Sequence, residues 1–210
     1  GPLAGLALPG LGSTAIIAAI AIPNLLESRV TTNENAAAST LKSGIFPAQV
    51  QFQAGCYTDV DGDNRGEYGF LQGLSGGEAP VKSQLEAGRL TLIGPEFGLG
   101  LPVYGYNFII YLPISDTEMA DYATWKAKAE AGELTPEAIN ASEKYFVAYA
   151  WPEVFDDTGR RTFALTQDGR VLTTVPMPIE GAPAWNALAD GREGKVAEVL
   201  RNPTWLPYAK

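Results

Sequence analysis

The sequence predicts an α+β fold, in which a long N-terminal α-helix packs against an antiparallel sheet of about four strands with short helices beside it. Three observations carry this prediction. Residues 14–53 hold an apolar run and then apolar side chains at helical spacing. Four later runs (103–112, 145–151, 161–166 and 170–174) are rich in aromatic and β-branched residues and are bounded by proline or turn residues. The 210 residues are 46% hydrophobic and only 19% charged, which suits a packed core and excludes a largely disordered chain.

The helix comes first. Pro9, Gly10 and Gly12 break the opening segment, so the helix is expected from about Thr14, with Ser13 or Thr14 as N-cap. The run Ala15-Ile16-Ile17-Ala18-Ala19-Ile20-Ala21-Ile22 is apolar on every side, so it needs a covering of protein or lipid. Residues 3–26 would span roughly 36 Å as a helix, enough to cross a bilayer core of about 30 Å. No charge precedes Glu27. Beyond Pro23 the pattern turns amphipathic, with Leu25, Leu26, Val30, Ala37, Leu41, Ile45, Val50 and Phe52 as its apolar residues. Pro23 and Pro47 are expected to kink the helix, and Gly55 to stop it. This divides the chain into an apolar assembly or membrane segment (1–26), an amphipathic half of the same helix (27–55) and an α+β head (56–210). The residues expected to mediate assembly are Ile16, Ile17, Ile20, Ile22, Pro23, Leu25 and Leu26.

The string Ile17-Ala18-Ala19-Ile20-Ala21-Ile22-Pro23-Asn24-Leu25-Leu26-Glu27-Ser28-Arg29 resembles the type IV pilins and the pseudopilins of type II secretion. Tyr145-Phe146-Val147-Ala148-Tyr149-Ala150-Trp151-Pro152 and Gly159-Arg160-Arg161-Thr162-Phe163-Ala164 are similar, more loosely, to pilin heads. The resemblance implies a helix whose apolar half packs in a filament core and whose amphipathic half carries the sheet. It implies identical or related subunits and inner-membrane assembly machinery as partners. It also implies a bacterial surface filament, with the inner membrane as the location before assembly. The sequence departs from the family at residues 1–8, which have neither the phenylalanine nor the glutamate with which members begin. Gly1-Pro2 reads either as a protease scar or as a divergent natural start.

After the helix comes Asp59-Val60-Asp61-Gly62-Asp63-Asn64-Arg65-Gly66-Glu67. Alternating carboxylates on a glycine-bearing turn suit calcium, which takes six to eight oxygen ligands. Asp59, Asp61, Asp63, the Arg65 carbonyl and Glu67 are the candidate ligands. An EF-hand would place glycine sixth and glutamate twelfth; Asn64 and Phe70 stand there instead. The competing reading is a solvated acidic turn.

In the head, residues 67–77 read as a short helix or turn, and 85–100 as irregular. Residues 116–132 read as a helix with Met119, Tyr122, Ala123 and Trp125 on its apolar side. Thr135 and Pro136 start another helix, and 161–174 form a hairpin around Gln167-Asp168-Gly169. Residues 183–189 read as a short helix, with an irregular tail behind it.

Composition narrows the chemistry. There is no histidine, which excludes serine–histidine and cysteine–histidine nucleophile pairs. Cys56 stands alone, so no intrachain disulfide forms. A net charge of −9 gives no electrostatic footprint for nucleic acid. The expectation is therefore a non-enzymatic filament subunit. The alternative is a membrane-tethered or secreted binding module stabilised by calcium.

Overall fold

The computed structural model describes residues 12–77 and 91–208, with residues 12–23 as backbone alone. The stem is one nearly continuous helix in three parts: α1 (Gly12–Ser39), a π-helical turn (Thr40–Ile45) and α2 (Phe46–Ala54). The helical backbone runs through Pro23. The π turn lies just ahead of Pro47, where the Phe46 N–H donates to the Leu41 carbonyl, five residues back. Proline lacks an N–H, and its ring crowds the carbonyl four residues earlier. A local π turn relieves that crowding, so the irregularity expected at Pro47 is taken up as a widened turn.

The stem's inner face is Val30, Ala37, Ala38, Leu41, Ile45, Ala48, Gln49 and Phe52, all buried. Val50, expected among the apolar set, points outward and is 46% exposed.

The sheet has six antiparallel strands, not four, in the order β2-β1-β3-β4-β5-β6. Its strands are β1 (Tyr106–Pro113), β2 (Met119–Ala120), β3 (Val147–Pro152), β4 (Phe163–Thr166), β5 (Val171–Thr173) and β6 (Leu206–Pro207). The central four correspond to the expected runs. The two extra strands are the edges, each only two residues long, and such a length carries no readable alternation. Met119 and Ala120 pair with Pro113 and Leu112, so Met119 belongs to a strand rather than to the helix expected over 116–132. That helix, α5 (Tyr122–Glu130), starts later because Asp121 caps it, accepting the Thr124 N–H at 3.0 Å. At the other edge, β6 carries Pro207, a residue tolerated in edge strands.

One sheet face, including Tyr106, Ile110, Ala148, Ala150, Phe163 and Leu165, packs on the stem. The other face, with Val147, Tyr149, Ala164 and Leu172, lies under the C-terminal segment. In that segment the short helix expected over 183–189 is a 3-10 turn (Ala187–Ala189), and the tail behind it, expected to be irregular, supplies α7 (Val196–Arg201) and β6. Its Leu188, Val196, Val199 and Leu200 are buried against the sheet. The Tyr149 hydroxyl links the layers, donating to the Trp185 carbonyl at 2.8 Å and accepting the Leu188 N–H at 3.1 Å. Sheet faces covered on both sides explain why Phe146 to Ala150 read as a continuous apolar run, all wholly buried.

Three short helices complete the stem side: α3 (Leu71–Leu74), α4 (Pro95–Gly98) and α6 (Pro136–Ser142). Thr135 caps α6 through its hydroxyl, which accepts the Ala138 N–H, and Pro136 takes the first turn.

Candidate functional site

Two regions answer to the functional expectations: the free end of the stem and the acidic loop at its opposite end. Along the stem, residues 24–29 are exposed, and burial begins at Val30. Leu25 is 69% exposed and Leu26 43%, so both stand clear of the head. The side chains of Ile16, Ile17, Ile20, Ile22 and Pro23 lie outside the described residues; their backbone belongs to α1. No helix among the described residues is long and apolar enough to cross a membrane.

Polar bonds pin the stem where it leaves the head. Arg160 pairs with Glu27 at 2.7 Å and with Asp156 at 2.6 Å, and its backbone N–H donates to Glu34 at 3.0 Å. Arg161 lies 3.9 Å from the same Glu34 carboxylate, and Arg29 lies 3.4 Å from Asp157. Asn33 donates to the Thr158 carbonyl, and the Tyr208 hydroxyl donates to Asn35. These partners come from residues 153–161 and from the tail, more than a hundred positions away in sequence. Nothing in the sequence pattern of the helix pointed to them.

At the far end, α2 stops at Gly55 and the chain enters the acidic loop. The loop is held open by its own carboxylates. Asp59 accepts the Gly62 and Asn64 N–H groups, Asp61 accepts that of Asp63, and Asp63 accepts that of Arg65. The loop closes where the Glu67 N–H donates to the Thr58 carbonyl at 3.1 Å. Gly66 passes so close to the stem that a Cβ there would fall 2.9 Å from Cys56 Cα and nearer still to the Gln53 carbonyl oxygen. Beyond the loop the chain threads between stem and α6. Gly69 forms a two-bond pair with the buried Gln49 amide, both bonds 2.7 Å, and the Tyr68 N–H donates to the Ser142 carbonyl.

Of the five expected ligands, the structure brings three together. Asp59, Asp61 and Asp63 each offer a carboxylate oxygen within 4.8 Å of the others, a cluster able to hold a metal ion. Glu67 is not in that group. Its side chain turns inward, wholly buried, and Oε1 accepts the Val60 N–H at 3.0 Å. Its Oε2 is buried and has no hydrogen-bond partner among the described residues. Burial, reinforced by the charges of Asp59 and Asp61, pushes the Glu67 carboxyl up to about 7 against the pull of the Val60 N–H.

Sequence reading missed Glu143, just past the end of α6. It is 5% exposed, and its Oε1 also has no partner among the described residues. Burial first, then Asp63 and Asp61, raise its carboxyl above the usual range, with Lys144 and Arg65 opposing. It lines a cleft of about 350 Å³ with Gln53, Cys56, Asn64, Arg65, Gly66 and Lys144. Its backbone carbonyl accepts from the Gln53 side chain. A lone glutamate at a helix end carries no motif, so only the fold reveals its neighbours.

Comparison with family models, with curated proteins and with solved structures returns no match.

Proposed function

We propose that this chain is a structural subunit of a type IV pilus-like or pseudopilus filament, assembling through its N-terminal apolar helix. The observation that carries the reading is the length of helix ahead of Val30, where the stem's burial begins. From Gly12 to Arg29 it extends for roughly 27 Å at about 1.5 Å per residue, while the described residues 24–29 are exposed. The Ala/Ile run of residues 15–22 belongs to the same helix. An apolar rod beyond its own head needs another apolar surface, and copies of the same rod supply one. The partners are then identical or related subunits and inner-membrane assembly machinery. The location is the inner membrane before assembly and the bacterial surface afterwards. The reading assigns the chain no catalysis and no nucleic acid.

Within this reading the aspartate cluster holds Ca²⁺ in a structural role, because hard, oxygen-only ligands on a turn suit that ion. The same cluster favours the second reading, a tethered or secreted binding module stabilised by calcium.

Electron microscopy of the full chain beside a version lacking residues 1–27 tests the proposal. Uniform thin filaments from the full chain alone are expected. Dispersed particles from both versions would remove the self-assembling reading and leave the binding module.

A further inference from the structure

One end of the head gathers most of the exposed apolar side chains. The strands line up there. Tyr106 at the start of β1 lies opposite Pro152 of β3, and Ala150 of β3 lies opposite Phe163 at the start of β4. Phe163 lies opposite Thr173, which in turn faces Leu206 of β6. The stem crosses this same end. Asn33 donates to the Thr158 carbonyl, the Arg160 N–H donates to Glu34, and the Arg160 side chain pairs with Glu27. Tyr104, Val154, Phe155, Val175, Met177 and Leu206 stand at or just beyond these strand ends, each at least 39% exposed. Backbone bonds hold the segments that carry them together: the Glu153 N–H donates to the Gly105 carbonyl, that of Thr174 to Thr162 and that of Met177 to Arg160. With Leu25 and Leu26 on the stem, these make eight of the eleven large hydrophobic side chains exposed among the described residues. Single exposed apolar residues are ordinary, whereas a gathering of them at one end marks a contact surface.

We propose that this apolar collar around the stem seats the N-terminal run, residues 15–22, of a second copy of the chain, so that each head packs on the helix of a neighbour. This rests on the filament reading given above. Charge selects the occupant. The ionic side chains of the collar already have partners within it: Arg160 has Glu27 and Asp156, Arg29 has Asp157, and Arg161 has Glu34. The collar therefore presents its apolar side chains between charges that are locally offset, which suits an uncharged partner. The run of residues 15–22 is such a partner, since no charged side chain precedes Glu27 and the run is apolar on every side. An anionic bilayer fits less well, because a chain of net charge −9 is repelled by it. Eight helical residues span roughly 12 Å, and any face of that length offers apolar area to bury. The contact joins two different surfaces of one chain. Repeated from copy to copy, a contact of that kind builds an open helical filament unless its rotation closes a ring.

The test is filament assembly of the full chain, read by electron microscopy and by the concentration at which it sediments, with the melting temperature measured beside it. Wild type is compared with the double variant Tyr104→Ser, Met177→Ser, with Val154→Asp, and with Val50→Ser, an exposed residue on α2 away from the collar. Wild type and Val50→Ser should assemble at the same concentration. The two collar variants should need about tenfold more protein or fail to assemble. Both should melt with wild type, because the altered side chains are exposed. Collar variants that assemble at the wild-type concentration overturn the inference and leave the filament reading standing. A fall in the melting temperature of both also overturns it, since the collar would then be packed within its own head. Normal assembly by the collar variants with lost flotation on phosphatidylcholine vesicles overturns it in favour of a lipid contact. A wild type that forms no filaments overturns both the inference and the filament reading.

Discussion

Glu67 sets a pH dependence that runs opposite to ordinary acid denaturation. Its carboxyl titrates near 7 in the folded protein against a usual 4.5, chiefly because it is buried. The folded state therefore holds a proton that the unfolded chain releases above pH 4.5, and stability falls as pH rises from there to about 7. At about 1.36 kcal/mol per unit, the loss approaches about 3 kcal/mol by pH 8. Glu67→Gln removes this loss while keeping an oxygen for the Val60 N–H. Urea unfolding in chelator at pH 5 and pH 8 measures the effect. The variant should gain about 2.5 kcal/mol relative to wild type on going from pH 5 to pH 8. Comparing the two chains cancels the contribution of Glu143, which has the same sign. An identical difference between the chains at both pH values would refute the burial argument. So would a variant that weakens relative to wild type as pH rises.

Two further predictions concern the joint between stem and loop. Gln49→Ala leaves both Gly69 backbone groups without their buried partners, and it should cost about 2–4 kcal/mol in urea unfolding. Gln49→Glu should cost more at neutral pH than in acid, since an ionised carboxylate cannot donate to the Gly69 carbonyl. Gly66→Ala should cost about 2–4 kcal/mol, because the added methyl meets stem backbone rather than a side chain able to move aside. A melting temperature within error of wild type for Gly66→Ala would contradict the close approach of loop and stem.

What the sequence revealed followed from signals long enough to repeat. The stem's buried positions recur at three- and four-residue intervals over many turns, so the helix was readable from Leu41, Ile45 and Phe52 alone. The four central strands and the Thr135 cap carry composition and capping signals of their own. The edge strands have neither. Met119 and Ala120 become a strand only because β1 lies beside them, and Leu206 and Pro207 only because β5 does. The C-terminal layer was misread for a related reason. Its anchors, Trp185, Leu188, Val196 and Trp205, are scattered among glycines and prolines, and only the sheet's second face gives them a common direction. The acidic loop was visible because its three aspartates are local. Glu143 was invisible because its relation to them exists only after α6 has docked.

The bonds between stem and head differ in kind along its length, and the difference bears on which of them would carry load in a filament. At residues 27 and 29 the links are ion pairs on exposed side chains, Arg160 with Glu27 and Arg29 with Asp157, and at residues 33 and 34 they are part-buried hydrogen bonds to the Thr158 carbonyl and from the Arg160 N–H. Ion pairs of this kind are screened at physiological salt and add little to stability. Near residues 41–53 the links are a wholly buried apolar face and the Gln49–Gly69 amide pair, which salt does not reach. A pull on the projecting helix would therefore open the Arg160 cluster first and be resisted at Leu41, Ile45 and Gln49. In the proposed filament, the exposed cluster could exchange its partners for those of a neighbouring subunit without unfolding the head, whereas the buried joint could not. The head's grip on the helix thus lies from Val30 onward, and the turns ahead of it, held only by the screened pairs of Glu27 and Arg29, would be the ones to answer to neighbours in the proposed filament.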